Sequence, residues 1–416
     1  MHIVVDTATP ARPAPAPRSF NPWSGLGDLP AEAWILFAAT LVNRAGTMVL
    51  PFLALYVTEH LGHPAQQAGL ALTIYGAGSL VSAPVGGRLS DRLGPVRVMQ
   101  WSLLVSGALL LAMPFARALP SVLALVLLWS FFGEALRPAS LAALADIVPA
   151  ERRTAAFALN RLAIHLGMSI GPAVGGFLAA ASFPLLFAID GVTSIAAALL
   201  LMVWALPRAR AERPANGRQA GAGAAVLFRS PRALAFLTGV LLVGIVFFQS
   251  EATLPLFIVR DMELPTSFYG LLFLVNTGLI ILFEVPLNLA MAGWPYRRTL
   301  ALGALLLGVG FGATAFAMDR TGIVLTVMIW TFGEMILFPV TAAYVADLAP
   351  ADRRGAYMGV YRTVFGLAFM VGPWAGTVFM ERYGAFALWV AVGACALCAA
   401  AIFSLASAGR AGVHGS

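Results

Sequence analysis

Twelve long apolar segments determine what this chain can fold into. They fall at about 33–58, 66–88, 96–116, 119–145, 154–181 and 183–207, and then at about 233–259, 267–292, 298–318, 322–347, 355–380 and 384–408. Each has the ~20 residues that an α-helix needs to cross the hydrocarbon core of a bilayer. The chain is 60% hydrophobic and 11% charged, whereas about a quarter of the residues of a soluble domain are charged. The sequence therefore predicts an all-α polytopic membrane protein with twelve transmembrane helices.

The two halves of the chain repeat each other. Residues 129–153 align without gaps on residues 330–354, at an offset of 201 residues. The shared positions include Trp129 and Trp330, Pro138 and Pro339, Asp146 and Asp347, Arg153 and Arg354, and Arg161 and Arg362. Such a repeat predicts two pseudo-symmetric six-helix bundles of the same orientation, an arrangement that transporters use when the halves rock about a central site.

Polar stretches mark the boundaries of these bundles. We expect a flexible cytoplasmic N-terminal tail over 1–30, a first bundle over 31–207, a cytoplasmic linker over 208–232, a second bundle over 233–408 and a C-terminal tail over 409–416. The linker combines six arginines with Ala, Gly and Pro, a composition typical of flexible connections.

Arginine is distributed unevenly between the two sets of loops. With the N-terminus inside, the cytoplasmic loops hold fifteen arginines and the external loops hold four. The positive-inside rule then places both termini in the cytoplasm. We expect a multi-pass protein of the bacterial inner (plasma) membrane.

The loop between segments 2 and 3, GGRLSDRLGPVR at 86–97, combines dense charge with glycine. Gly87, Asp91, Arg92, Gly94 and Arg97 fit the pattern G-x-L-x-D-R-x-G-x-x-R. This pattern closely resembles the loop between helices 2 and 3 of the major facilitator superfamily of secondary transporters. An ordinary basic loop would account for the arginines but not for Asp91 or Gly94. The resemblance covers about residues 33–408 and implies the major facilitator fold.

The resemblance also implies that this loop is part of a cytoplasmic gate. Asp91 would accept hydrogen bonds at the N-terminus of helix 11, near Arg354, where backbone amides and the helix dipole favour an anion. The predicted gate comprises Gly87, Asp91, Arg92, Gly94 and Arg97 with Asp146, Arg152 and Arg153 of the next cytoplasmic loop. The alternative is that these charges only anchor the topology.

Segment 5 contains GMSIGPAVGG at 167–176. Gly167, Gly171 and Gly175 lie four residues apart and form a smooth stripe, and Pro172 favours a kink. With Gly176, the string closely resembles the G-x-x-x-G-P-x-x-G-G signature of the superfamily's drug:proton antiporters. We expect this face to pack on helix 8. Generic packing of small residues is the alternative.

Ionisable groups near the middle of the bilayer are costly and therefore point to function. Arg44, Glu134 and Glu334 fall near mid-membrane at ~1.5 Å per residue, and Glu251 and Gln249 lie nearer the outside. They stand on segments 1, 4, 7 and 10, which line the cavity in this superfamily. Glu134 and Arg137 are three residues apart on one helix face and can pair. Glu134 is the first candidate for proton coupling and Glu334 the second, whereas a static ion pair is the alternative.

Other polar groups have simpler interpretations. Arg161 and Arg362 are predicted to be structural residues or partners of the gate. His165 is predicted to be a polar residue whose hydrogen bonds are made within the bundle. Asp190 and Glu284 are predicted to be charges at packing contacts or interfaces. The pair Cys395 and Cys398 lies in an apolar run without histidine or charge nearby, so neither a metal nor a redox site is expected.

These features predict a secondary transporter that exports small amphipathic organic compounds or drugs in exchange for protons, by alternating access. The alternative is a uniporter or symporter for a metabolite such as a sugar, organic acid or lysolipid. No hydrolase or metalloprotease motif and no phosphate-binding loop is present, so the chain is not expected to be an enzyme or to need a cofactor. We expect a monomer that binds its substrate, protons and lipid but no nucleic acid.

Overall fold

The computed structural model describes residues 27, 29–149, 152–203, 230–350 and 353–406. Its twelve long helices are α1 (Ala31–His60), α2 (Ala65–Leu93), α3 (Pro95–Phe115), α4 (Leu119–Ile147), α5 (Arg153–Ala181), α6 (Phe183–Val203), α7 (Pro231–Asp261), α8 (Thr266–Ala290), α9 (Tyr296–Phe316), α10 (Arg320–Leu348), α11 (354–383) and α12 (385–406). The predicted linker and both tails lie almost entirely outside the described residues. The described part confirms an all-α membrane protein.

The last two helices follow each other without a loop. Residues Arg354–Ala406 are helical throughout except at Gly384, where φ is 84° and the chain turns. A positive φ of this kind is strained for residues with a side chain, and glycine adopts it readily. Gly384 therefore separates α11 from α12 and completes the predicted set of twelve crossings.

Helices α1 and α7 are each broken near their middle by a proline. In α1, one piece ends at Gly46 and the next begins at Val49, just before Pro51. In α7, the break at 251–252 is followed by Pro255. Proline has no N–H to donate to the carbonyl four residues earlier, so the hydrogen-bond ladder fails at these two points. Each helix therefore changes direction at the level of the predicted site.

Within each half the helices pack in the same order. Helix α3 packs on α4 and α6, and in the second half α9 packs on α10 and α12. The two halves meet along two helix pairs, α2 with α11 and α5 with α8. The candidate site lies between these two pairs.

We call the side of the protein with the loops after α2, α4, α8 and α10 the arginine-rich face. Close to the other face, the halves touch: a Cβ added to Gly76 would lie 2.9 Å from Phe369, and one added to Gly176 would lie 3.0 Å from Gly270. Towards the arginine-rich face, a Cβ added to Gly87 or Gly359 would meet nothing within 4 Å. The close glycine contacts between the halves therefore lie away from the arginine-rich face.

Candidate functional site

Helix α4 brings an acid and a base to the inner surface of the first half. Its regular hydrogen bonding is interrupted at Ala135, between a piece that ends at Glu134 and a piece that begins at Leu136. Pro138 causes this kink because it cannot donate to the carbonyl of Glu134. Glu134 and Arg137 therefore lie on either side of a bend.

Glu134 has two strong partners. The hydroxyl of Tyr75 on α2 donates to its Oε1 at 2.9 Å, and Nε of Arg137 lies 2.9 Å from its Oε2. The Glu134 side chain is 10% exposed, whereas that of Arg137 is 61% exposed. The guanidinium group of Arg137 thus neutralises Glu134 on one side and faces open space with its remaining nitrogens.

Arg44 lies beside this pair on α1, just before the break. Its guanidinium group is close enough to interact electrostatically with Glu134 and Arg137. Within the described residues it forms no hydrogen bond or ion pair, and its Nε is buried. A buried donor without a partner is costly, so this group is available to a ligand or to water.

The break in α1 is held by Asp190 of α6. Oδ2 of this buried carboxylate accepts the backbone N–H groups of Met48 at 3.0 Å and Val49 at 3.1 Å. These amides belong to the start of the second piece of α1, where helical N–H groups have no partner within the helix. The sequence predicted a packing charge at Asp190; the structure shows a helix cap that fixes the segment after Arg44.

The second half contributes Glu251, at the break in α7. One of its carboxylate oxygens, Oε2, is buried without a hydrogen-bond partner. The carboxylate interacts electrostatically with Arg137 and Glu134 across the interface, but no ion pair within 4 Å joins it to either arginine in the described structure. Arg44, Tyr75, Glu134, Arg137 and Glu251 form what we call the interface cluster.

Gln249 does not belong to that cluster. It is 2% exposed, and its amide donates to the carbonyl of Gly372 on α11 at 2.9 Å and accepts from Thr253 at 2.9 Å. These bonds use its amide to hold α7 against α11, and a role for Gln249 at the cavity stays a prediction.

Glu334 lies on α10 in a separate cluster. Its Oε2 accepts a 2.8 Å hydrogen bond from the side-chain amide of Asn276 on α8, which also donates to Thr331. No basic residue of the described chain forms an ion pair with it.

Nearby on α10, Pro339 leaves the carbonyl of Met335 without its usual donor. The side-chain amide of Asn288 donates a hydrogen bond of 3.2 Å to that carbonyl.

An ion pair between the halves lies next to Glu334. Nη2 of Arg161 on α5 is 2.7 Å from Oε1 of Glu284 on α8, and Nε of Arg161 is 3.3 Å from Nε2 of His165. These three residues and Glu334 line a cavity of about 310 Å³, together with Ile280, Met335, Phe338 and Pro339. Cavities of about 300–1,000 Å³ suit small organic ligands.

The glycine stripe of α5 packs differently from our prediction. A Cβ added to Gly171 would lie 3.0 Å from the carbonyl of Arg44, and one added to Gly175 would lie 3.0 Å from Met48. Gly167 is likewise closed off by Arg44. The stripe therefore faces α1, because successive members of an i, i+4 row share one neighbour. Gly176 and the carbonyl of Pro172 instead meet α8, at Gly270.

The predicted gate residues lie at the arginine-rich face. Gly94 has φ 89° and ends α2 with its N–H on the carbonyl of Ser90, so a glycine fits this turn for a backbone reason. Asp91, Arg92 and Arg97 are exposed. Arg153 donates to the carbonyls of Ala145 at 2.8 Å and Val148 at 3.3 Å, at the end of α4. Contact of Asp91 with the start of α11 stays a prediction, as does a gate role for Asp146.

The sequence identified the charged residues of the site but not the groups that they contact. Asp190 and Glu284 were visible as charges, but nothing in the sequence showed that one caps a broken helix and the other crosses the interface. Pro51 and Pro255, each followed by an apolar run, were the available signals for the breaks.

The model of the Major Facilitator Superfamily matches the chain twice, over residues 35–287 and 253–413. The MFS-type transporter YqjV of Bacillus subtilis is 25% identical over 86% of this chain and 88% of its own length. A Na⁺, Li⁺, K⁺/H⁺ antiporter of Planococcus maritimus is 23% identical, covering 80% of this chain and 85% of the antiporter. The multidrug resistance protein MdtH of Aeromonas salmonicida is 22% identical, covering 82% and 85%.

Solved structures share the fold. A peptide transporter POT superposes with a TM-score of 0.77 at 19% identity, covering 90% of this chain and 94% of that chain. A bacterial homologue of the lysosomal transporter Spinster, in an inward-facing and unoccupied conformation, gives a TM-score of 0.75 at 14% identity, covering 90% and 96%. With twelve helices in two repeated halves, and a family match over nearly the whole chain, this protein belongs to the Major Facilitator Superfamily of transporters.

Proposed function

We propose that this secondary transporter exchanges protons for a small organic compound and exports that compound. The observation that carries the proposal is the setting of Glu334. Its carboxylate lines the cavity beside Phe338, and its hydrogen-bond partner in the described structure is a neutral amide. A carboxylate whose hydrogen-bond partner is neutral can release its proton when the cationic group of a ligand binds close to it, and this competition couples the two flows.

The two candidate acids then have different roles. Glu134 has its charge compensated by Arg137 and is held by Tyr75, so it serves mainly to orient that arginine. Glu334 lacks such a partner and carries the proton. This reverses the order expected from sequence, which ranked Glu134 first.

The direction of transport follows from the proton gradient, because protons that flow into a bacterial cell drive the exchanged compound out of it. The arginine-rich face is cytoplasmic by the positive-inside rule. The compound therefore leaves the cytoplasm across the inner membrane, with both termini cytoplasmic and one chain as the working unit. Similarity to a cation/H⁺ antiporter and to a multidrug resistance protein supports antiport and organic substrates.

Proton counterflow in proteoliposomes tests this function. The purified chain is reconstituted with a pH-sensitive dye inside and an imposed pH gradient. Ethidium, tetraphenylphosphonium, chloramphenicol, lactose, citrate and potassium are then added separately. We expect protons to move opposite to at least one organic compound. Proton movement with potassium alone would favour cation exchange, and equilibration of lactose or citrate without proton movement would refute antiport.

Two variants make the experiment specific. Glu334→Gln keeps the size and hydrogen bonding of the side chain but removes its proton exchange, so proton movement should be lost while compound binding remains measurable. Glu381→Gln changes an exposed acid at the end of α11, outside both clusters, and serves as the matched control. Equal proton movement in both variants would exclude Glu334 as the carrier.

A further inference from the structure

The two walls of the site differ in charge. The first half contributes Arg44 and Arg137 with a single acid, Glu134, to the interface cluster, which gives that wall an excess of positive charge. The second half contributes Glu251 to the same cluster and Glu334 to the neighbouring cavity, and neither forms an ion pair within 4 Å with a basic residue of the described chain. The site is therefore positive on one side and negative on the other.

Each wall also presents a buried polar atom without a partner. Nε of Arg44 lacks an acceptor and Oε2 of Glu251 lacks a donor. The other acids near Arg44 are already engaged, Glu134 by Tyr75 and Arg137, and Asp190 by two backbone amides. Buried charged groups without hydrogen bonds are expensive, so a ligand that supplies both partners at once gains most from this site.

Aromatic rings connect the two walls. Tyr75 of the first half lies 5.9 Å from Phe369 of α11, and Phe369 lies 4.7 Å from Phe248 of α7, measured between ring centroids. Tyr75 also packs on Trp129 at 4.9 Å. Because Tyr75 bonds to Glu134 and Phe248 stands three residues before Glu251, this row of rings runs alongside the charged groups and offers an apolar surface between them.

We infer that the ligand is a zwitterion with an aromatic or apolar spacer. Its carboxylate binds Arg44 and the free nitrogens of Arg137, and its ammonium group binds Glu251. A ligand with only a positive charge would be repelled by the two arginines. A ligand with only a negative charge would be repelled by Glu251 and Glu334. Charge complementarity of this kind sets specificity more than total affinity. The inference rests on the proposed function for the coupling of this ligand to the proton on Glu334, and it places the ligand in the interface cluster.

Binding of matched compounds tests this charge preference. The probes are three aromatic zwitterions of increasing charge separation: phenylalanine, para-aminomethylbenzoic acid and para-aminomethylcinnamic acid. Each is compared with its methyl ester, which is a cation, and with its N-acetyl derivative, which is an anion. Calorimetric titration of the detergent-purified full chain should show at least one zwitterion binding about tenfold or more tightly than both derivatives, since one charged hydrogen bond is worth about that factor.

Variants assign each end of the ligand. Arg44→Gln should weaken the zwitterion and the N-acetyl compound but not the ester, and Arg44→Lys should restore part of that loss. Glu251→Gln should weaken the zwitterion and the ester but not the N-acetyl compound. The control Glu381→Gln should change none of them.

Two results would overturn the inference: an ester that binds as tightly as its zwitterion, or no measurable binding of any zwitterion. These outcomes are separable from failure of the proposed function, because the titration uses no pH gradient. Preferred zwitterion binding without proton counterflow would refute antiport alone. Proton counterflow with lipophilic cations and no preference for zwitterions would refute this inference alone.

Discussion

Removing the carboxylate of Asp190 should destabilise the protein and disturb the site, although the side chain is not in the interface cluster. Both N–H groups that it accepts, from Met48 and Val49, bond to the same oxygen, Oδ2. Asp190→Ala leaves both amides without a partner in a site where the acid is 3% exposed. At ~1–3 kcal/mol for each orphaned group, the expected loss is ~2–6 kcal/mol of unfolding free energy.

Asp190→Asn is the matched variant. Its single amide oxygen can take the place of Oδ2 and accept from both backbone groups, so the geometry of the cap is retained while the negative charge is lost. Asn and Asp are about equally effective as helix caps. We therefore expect the Asn variant to lose less than half as much stability as the Ala variant.

Equilibrium unfolding in mixed micelles measures these differences. A second measurement, the affinity for the N-acetyl probe, reports on Arg44, which stands four residues before Met48; it should fall in the Ala variant and stay closer to wild type in the Asn variant. An Ala variant as stable as wild type would show that the two backbone groups find other partners. Equal losses in both variants would show that charge, rather than capping, is what Asp190 contributes.

Three further substitutions test other contacts. Gly176→Ala places a methyl group 3.0 Å from the backbone of Gly270, so it should separate α5 from α8 and reduce transport several-fold. Gly278→Ala, on α8, meets nothing within 4 Å and is the matched control; equal transport in both would contradict the packing. Tyr75→Phe removes the 2.9 Å bond to Glu134 and should cost ~0.5–3 kcal/mol in unfolding free energy; an unchanged stability would mean that water replaces the hydroxyl.

Sequence reasoning recovered the features that depend on local pattern. Apolar length gave the twelve crossings, and the repeat gave two equivalent halves. Spacing along a helix was enough to pair Glu134 with Arg137, because residues three apart share one face. The same reasoning placed Glu334 near mid-membrane, where the structure finds it lining the cavity.

Features that depend on distant partners were not predictable in this way. Asp190 caps backbone groups 141 and 142 residues away, and Glu284 pairs with an arginine in the other half at a separation of 123 residues. The glycines at 167, 171 and 175 were assigned to the wrong neighbouring helix for the same reason. Helix periodicity shows which residues share a face, but it does not show which helix that face meets.

We propose that binding of the ligand displaces a proton from Glu334. Proton release on binding measures this most directly: the purified chain is mixed, in weakly buffered solution, with whichever compound drove counterflow in liposomes. We expect wild type and Glu381→Gln to release protons when the compound binds, and Glu334→Gln to bind it without release. Undiminished release from Glu334→Gln would contradict this coupling and place the exchanging group elsewhere.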